Sequence, residues 1–161
     1  MPTHPLPRAD KGDNGTVDAN NLRSVQVRRI GERRFEASNG RGGRLVFGEG
    51  TDSDFSPVEL LLTAIAGCTA IDVDYLTSRR AEPTGFEVEV IADKVSDEQG
   101  NHLGSVLTRF RISFPDGSDG DRAREVLPQA VQRSQDRLCT VSRTVLLPTP
   151  VSFELDDAPS T

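Results

Sequence analysis

Alternation with a period of two marks the chain from residue 23 onward. Val25 and Val27 alternate with polar neighbours, and Phe35 and Ala37 repeat the pattern across residues 33–38. The turn Asn39-Gly40-Arg41-Gly42-Gly43 then leads into Arg44-Leu45-Val46-Phe47, which predicts three strands joined by short turns. At Ser56 the period changes. Ser56-Pro57-Val58-Glu59 offers a hydroxyl N-cap, a proline at the first helical position and a glutamate at the third. In that arrangement Ser and Glu each satisfy an orphan backbone N–H. A helix is predicted from there to about Arg80, roughly 24 residues and ~36 Å long, with only Gly67 against it. Between Ser56 and Ser78 its charges are Glu59, Asp72 and Asp74 alone. A helix this apolar around its circumference must be covered on more than one side. The pattern makes it a central helix that also meets a partner chain.

The period of two returns at Phe86, Val88, Val90 and Ala92, followed by a hairpin loop at Asp97–Asn101. The next strand sets Val106, Thr108, Phe110, Ile112 and Phe114 on one face and Arg109 and Arg111 on the other. A second helix follows Gly120, with Ala123, Val126, Leu127, Ala130, Val131 and Ser134 at helical spacing; Pro128 should kink it or mark its start. Val151, Phe153 and Leu155 predict a last short strand. Three strands, a helix, two strands, a helix and a strand read as an α+β fold rather than a doubly wound parallel sheet. Residues 1–22 carry Pro2, Pro5 and Pro7 and little apolar content, so they are expected to form a disordered tail. Residues 23–161 then make a single domain.

Composition narrows the function. The 161 residues carry a formal net charge of -6, which argues against a nucleic-acid partner because phosphate binding needs clustered Lys and Arg. The longest uncharged stretch, Leu60 to Ile71, is twelve residues, short of the roughly 18 that a membrane helix needs. The N-terminal residues lack the apolar core of a signal peptide, so a cytoplasmic location and no membrane partner are expected. There is no Trp and one Tyr, which removes the stacking platforms of single-strand binding. Two cysteines remain, and in a reducing compartment they form no permanent staple.

Those cysteines are the chemical candidates. Cys68 lies inside the apolar helix and Cys139 follows the second helix, 71 positions on (139 minus 68). Both could be buried small hydrophobes, a common state of free Cys. Two Cys with His4 and His102 show no zinc-ligand spacing, so neither metal nor cofactor is expected. A Ser-His-Asp hydrolase would need a G-x-S-x-G elbow, and none occurs. Gly40, Gly42 and Gly43 are followed by neither Lys-Ser/Thr nor a helix, so they make no phosphate loop. Arg79 and Arg80 are explained by complementing a helix C-terminus.

The run Ser56-Pro-Val-Glu-Leu-Leu-Leu-Thr-Ala-Ile-Ala-Gly-Cys-Thr-Ala-Ile-Asp-Val73 resembles the central-helix signature of the OsmC/Ohr family, the osmotically inducible and organic-hydroperoxide-resistance proteins. Leu138-Cys-Thr-Val-Ser-Arg143 resembles that family's second cysteine motif. The resemblance extends over roughly residues 23–155. It implies antiparallel sheets wrapped around a long central helix, an intertwined homodimer, and a thiol peroxidase site. By that analogy Cys68 attacks an organic hydroperoxide, Cys139 resolves it as a disulfide, and an external dithiol resets the pair. Two departures stand out. The peroxidase branch carries Glu directly after the proline; here Val58 holds that place and Glu59 follows. That branch also has an early Arg on the thiolate, and Arg33, Arg34, Arg41 and Arg44 are the candidates, with no motif choosing among them. Glu59, nine residues from Cys68, cannot reach it in the same chain; it is either a cap or a contributor to a partner's site. The alternative on the same fold is a redox-sensing or apolar-ligand-binding protein with little peroxidase activity.

Overall fold

A computed structural model describes residues 21–155. The tail expected over residues 1–22 therefore lies outside the described residues, apart from Asn21 and Leu22. The chain divides into two compact units, the first ending at Asp54 and the second beginning at Phe55.

The first unit is a three-stranded antiparallel meander: β1 (Val25–Gly31), β2 (Arg34–Asn39) and β3 (Arg44–Phe47) in the order β1-β2-β3. The strands lie where the alternating pattern predicts them. Phe35 and Phe47 are directly paired across β2 and β3, with ring centroids 5.9 Å apart. The Asn39 side chain organises the second turn by accepting from the Arg41 and Gly43 backbone N–H groups at 2.9 and 3.1 Å. Gly42 there has φ 90°, a left-handed conformation that glycine adopts without cost.

The second unit is built on α1 (Pro57–Thr77), 21 residues long. Its start is the predicted one: the Glu59 backbone N–H donates to Ser56 Oγ at 3.3 Å, and Ser56 N–H donates to Glu59 Oε2 at 2.7 Å. A two-residue turn joins β4 (Gly85–Asp97) to β5 (Gly100–Ser113), with Val88 facing Phe110 and Phe86 facing Ile112. His102 sits in β5 opposite Val95. The hairpin packs on α1 through β4, and α2 (Ser118–Arg133) packs on α1 as well. A π-helical turn (Ser134–Leu138) then carries the chain to α3 (Thr140–Leu146).

One alternative and one expectation fail here. Pro128 does not mark the start of α2; it lies inside a helix that begins ten residues earlier (128 minus 118). The strand expected at Val151, Phe153 and Leu155 does not form, because no neighbouring strand pairs with it, and Phe153 is 93% and Leu155 101% exposed. The count of uncharged residues also understates α1, which is long and apolar enough to cross a membrane by length and composition.

The burial of α1 explains how it is used. Ile65, Thr69, Val73 and Thr77 are buried, one residue every fourth position, on the stripe facing the rest of the unit. Thr69 and Thr77 satisfy their hydroxyls locally, donating to the Ile65 and Val73 carbonyls at 2.9 Å each. A second stripe, Leu61, Ala64, Cys68, Ile71 and Tyr75, follows the 3-4-3-4 spacing of a helix–helix seam. Along it Ile71 is 71% and Tyr75 62% exposed.

Candidate functional site: a cysteine pair with a carboxylate

Cys68 is placed by the middle of α1 and Cys139 by the turn between α2 and α3. Cys139 is the N-cap of α3, its sulfur accepting the Ser142 backbone N–H at 3.3 Å. The Ser142 hydroxyl lies 3.1 Å from the same sulfur, and Thr69 Oγ1 lies 3.5 Å from it on the other side. The π-helical turn matters for this placement. It adds a residue to the helical register, and the Cys139 N–H closes it on the Ser134 carbonyl at 3.0 Å.

The fold brings the two cysteines together. Cys68 Sγ, Cys139 Sγ and a carboxylate oxygen of Asp72 all lie within 4.8 Å of one another. Asp72 is a residue that reading the sequence for chemistry passes over. The signal was its spacing: four positions after Cys68, on the same face of α1. Its carboxylate accepts the Ser134 hydroxyl at 2.8 Å. Cys139 is fully buried and Cys68 half-buried, so Cys68 is the sulfur that solvent reaches.

The environments push the two thiols in opposite directions. Burial raises the Cys68 thiol above its ordinary value, and the neighbouring Cys139 sulfur and Asp72 charge add to it against a hydrogen bond from the Val141 backbone. Burial would raise Cys139 too. It is outweighed by the Ser142 hydroxyl and N–H, then by the Cys68 thiol and the Thr69 hydroxyl, and Cys139 ends below its ordinary value. Relative to their ordinary values, the surroundings thus disfavour ionisation of Cys68 and favour that of Cys139.

A cavity of about 450 Å³ is lined by Thr69 and Ser142 beside apolar residues that include Val106, Leu107, Phe110 and Val145. Thr69 and Ser142 are the two side chains that also touch the Cys139 sulfur.

The other candidates stand elsewhere. Glu59 is held in the capping box of α1, and the Ser56 backbone and hydroxyl keep its carboxyl below the usual range. Arg33, Arg34, Arg41 and Arg44 belong to the first unit. There Arg34 pairs with Asp54 at 2.7 Å, Arg44 with Glu36 at 2.9 Å and Arg33 with Glu49 at 3.3 Å. Among the described residues, none of the hydrogen bonds to either sulfur comes from an arginine.

Residues 50–154, which carry α1 with Cys68 and the α3 cap with Cys139, match the family described as OsmC-like protein. The chain belongs to the OsmC-like family. Two uncharacterised mycobacterial proteins, one from Mycobacterium bovis and one from Mycobacterium tuberculosis, are each 26% identical to this OsmC-like chain over 137 residues, covering 84% of it and 98% of their own length. Among solved structures, an OsmC-like protein of unknown function from Vibrio cholerae superposes with a TM-score of 0.63 at 11% identity, covering 76% of this chain and 92% of its own. The organic hydroperoxide resistance protein OhrB of Bacillus subtilis superposes at 0.52 and 18% identity, covering 78% and 92%. The OsmC-like α+β fold, with its antiparallel sheets and long helix, is common to them.

Proposed function

We propose that this OsmC-like protein is a thiol-dependent reductase of organic hydroperoxides that cycles through a Cys68–Cys139 disulfide. The observation that carries this reading is the approach of the two sulfurs to within 4.8 Å. A disulfide needs about 2.05 Å between sulfurs, a distance that side-chain rotation and a small shift of α3 can close. Cys68, the accessible sulfur, attacks the terminal oxygen of the peroxide. The O–O bond breaks, the alcohol leaves with a proton, and Cys68 becomes a sulfenic acid. Cys139 then attacks the sulfenic sulfur, the S–S bond forms and water leaves. An external dithiol reduces the disulfide by exchange. The cavity lining favours an alkyl peroxide over hydrogen peroxide.

Homodimerisation is part of the same proposal. The exposed seam Leu61-Ala64-Cys68-Ile71-Tyr75 is suited to a second copy of α1. In that assembly Glu59 or an arginine of the first unit could serve a partner's site, and a soluble cytoplasmic protein is the setting in which the dithiol cycle runs.

A second reading is favoured by one observation. Burial pushes the Cys68 thiol above its ordinary value, so little of it is thiolate at neutral pH and the chemistry is slow unless an arginine is supplied. On that reading the pair senses oxidation, or the cavity holds an apolar ligand. Consumption of cumene hydroperoxide with a dithiol reductant distinguishes them. The peroxidase reading expects catalytic turnover by the wild type and none by Cys68→Ser; stoichiometric oxidation without turnover supports the sensor.

A further inference from the structure

Linear spacing hides a ligand set that the fold assembles. We propose that Cys68, Asp72 and Cys139 bind a thiophilic divalent cation of the zinc class, with three protein ligands and an open fourth position. Their ligand atoms lie within 4.8 Å of one another. A tetrahedral ion with Zn–S near 2.3 Å and Zn–O near 2.1 Å separates its ligand atoms by roughly 3.6–3.8 Å. The present separations, at most 4.8 Å, exceed those values by no more than about 1 Å.

The surroundings are those of a ligand shell rather than of a chance cluster. Ser134 Oγ donates to the Asp72 carboxylate at 2.8 Å, fixing its orientation. Ser142 N–H donates to the Cys139 sulfur at 3.3 Å, and Thr69 Oγ1 lies 3.5 Å from it. Such outer contacts orient metal ligands and are part of the site. Charge points the same way. The Asp72 carboxylate lies against the two sulfurs with the Ser134 hydroxyl as its hydrogen-bond donor. A cation at the centre neutralises that carboxylate. Two sulfurs and a single oxygen select zinc-like ions over magnesium or calcium. Binding releases the Cys68 proton to solvent, and any proton on Cys139; both sulfurs enter as thiolates and no redox change occurs. The site needs free thiols but no peroxide turnover, so it stands or falls independently of the reductase proposal.

The test is a titration of the reduced full-length chain with Co²⁺ and then Zn²⁺, read by absorption. The expected result is one ion per chain with sulfur-to-cobalt charge-transfer bands, displaced by one equivalent of Zn²⁺. Wild-type chain oxidised to the disulfide should show no bands, a control that requires no substitution. Asp72→Asn should weaken Zn²⁺ binding at least tenfold, and Ser134→Ala, which removes only an outer contact, by ~10–100-fold or less. Far-UV circular dichroism establishes that each variant is folded, and a variant that fails to fold leaves the wild-type comparison to decide. Absence of sulfur bands in the reduced wild type, or equal Zn²⁺ affinity before and after thiol oxidation, overturns the proposal. Unchanged affinity in folded Asp72→Asn overturns the three-ligand site.

Discussion

Cys68 and Cys139, 71 positions apart in sequence (139 minus 68), present sulfurs within 4.8 Å of each other, one half-buried and one fully buried. The difference in burial predicts an order of alkylation. Iodoacetamide should alkylate Cys68 in the folded protein while Cys139 stays protected, as mapped by peptide mass spectrometry. Because the Cys68 thiol is raised, the labelling rate should still be climbing about tenfold per pH unit between pH 7 and 8.5. A rate that levels off below pH 7 would mean that Cys68 is already a thiolate.

Asp72 adds negative charge beside Cys68 and is one of the causes that raise its thiol. Asp72→Asn keeps the acceptor for Ser134 but removes the charge, so Cys68 alkylation at pH 7 should become severalfold faster. An unchanged rate would show that the carboxylate does not act on the thiol.

The capping box separates structure from chemistry at the start of α1. Ser56→Ala removes the acceptor of the Glu59 N–H and should cost about 1 kcal/mol, a drop in Tm of roughly 2–4 °C for a chain this size. Glu59→Gln retains the cap. Glu59 is held below its ordinary 4.5, so the charge contributes to stability above that value and is lost as pH falls through the lower folded pKa. The Glu59→Gln protein should therefore lose less stability than the wild type between pH 5 and pH 3 and keep its peroxide kinetics. A large kinetic loss without unfolding would place Glu59 in a partner's site instead.

The exposed seam of α1 predicts a dimer. Ile71, 71% exposed, should be buried in it, and Ile71→Glu should convert a sedimenting dimer into a monomer at micromolar concentration. A wild type that sediments as a folded monomer removes the seam argument.

Much of the fold was legible because local signals agreed with the packing. Ser56-Pro57-Val58-Glu59 fixes the start of α1 through its own hydrogen bonds, and the alternation at Phe86–Ala92 and Val106–Ile112 fixes a hairpin that packs on α1. Val151, Phe153 and Leu155 show the limit. Their alternation is as regular as that of β4, but strand formation needs a partner, and none is within hydrogen-bonding reach among the described residues. Pro128 reads as a kink or a helix start, and of the two only the start is excluded, since α2 runs through it despite the lost backbone donor. The site was half legible. The cysteines stood out by rarity and by family resemblance, while Asp72 read as one charge on an apolar helix until α2 and the π-helical turn brought Ser134 and Cys139 onto it.

A peroxide-driven disulfide between Cys68 and Cys139 is open to single-turnover mass spectrometry. The fully reduced protein is mixed with one equivalent of cumene hydroperoxide, quenched with an alkylating agent, and its intact mass and tryptic peptides are measured. The account predicts loss of both free thiols, a mass lower by two hydrogens and a cross-linked Cys68–Cys139 peptide, with Cys139→Ser stopping at a sulfenic acid on Cys68. Full recovery of two alkylated thiols after the peroxide is consumed, or a sulfenic acid on Cys139 with Cys68 still free, would contradict it.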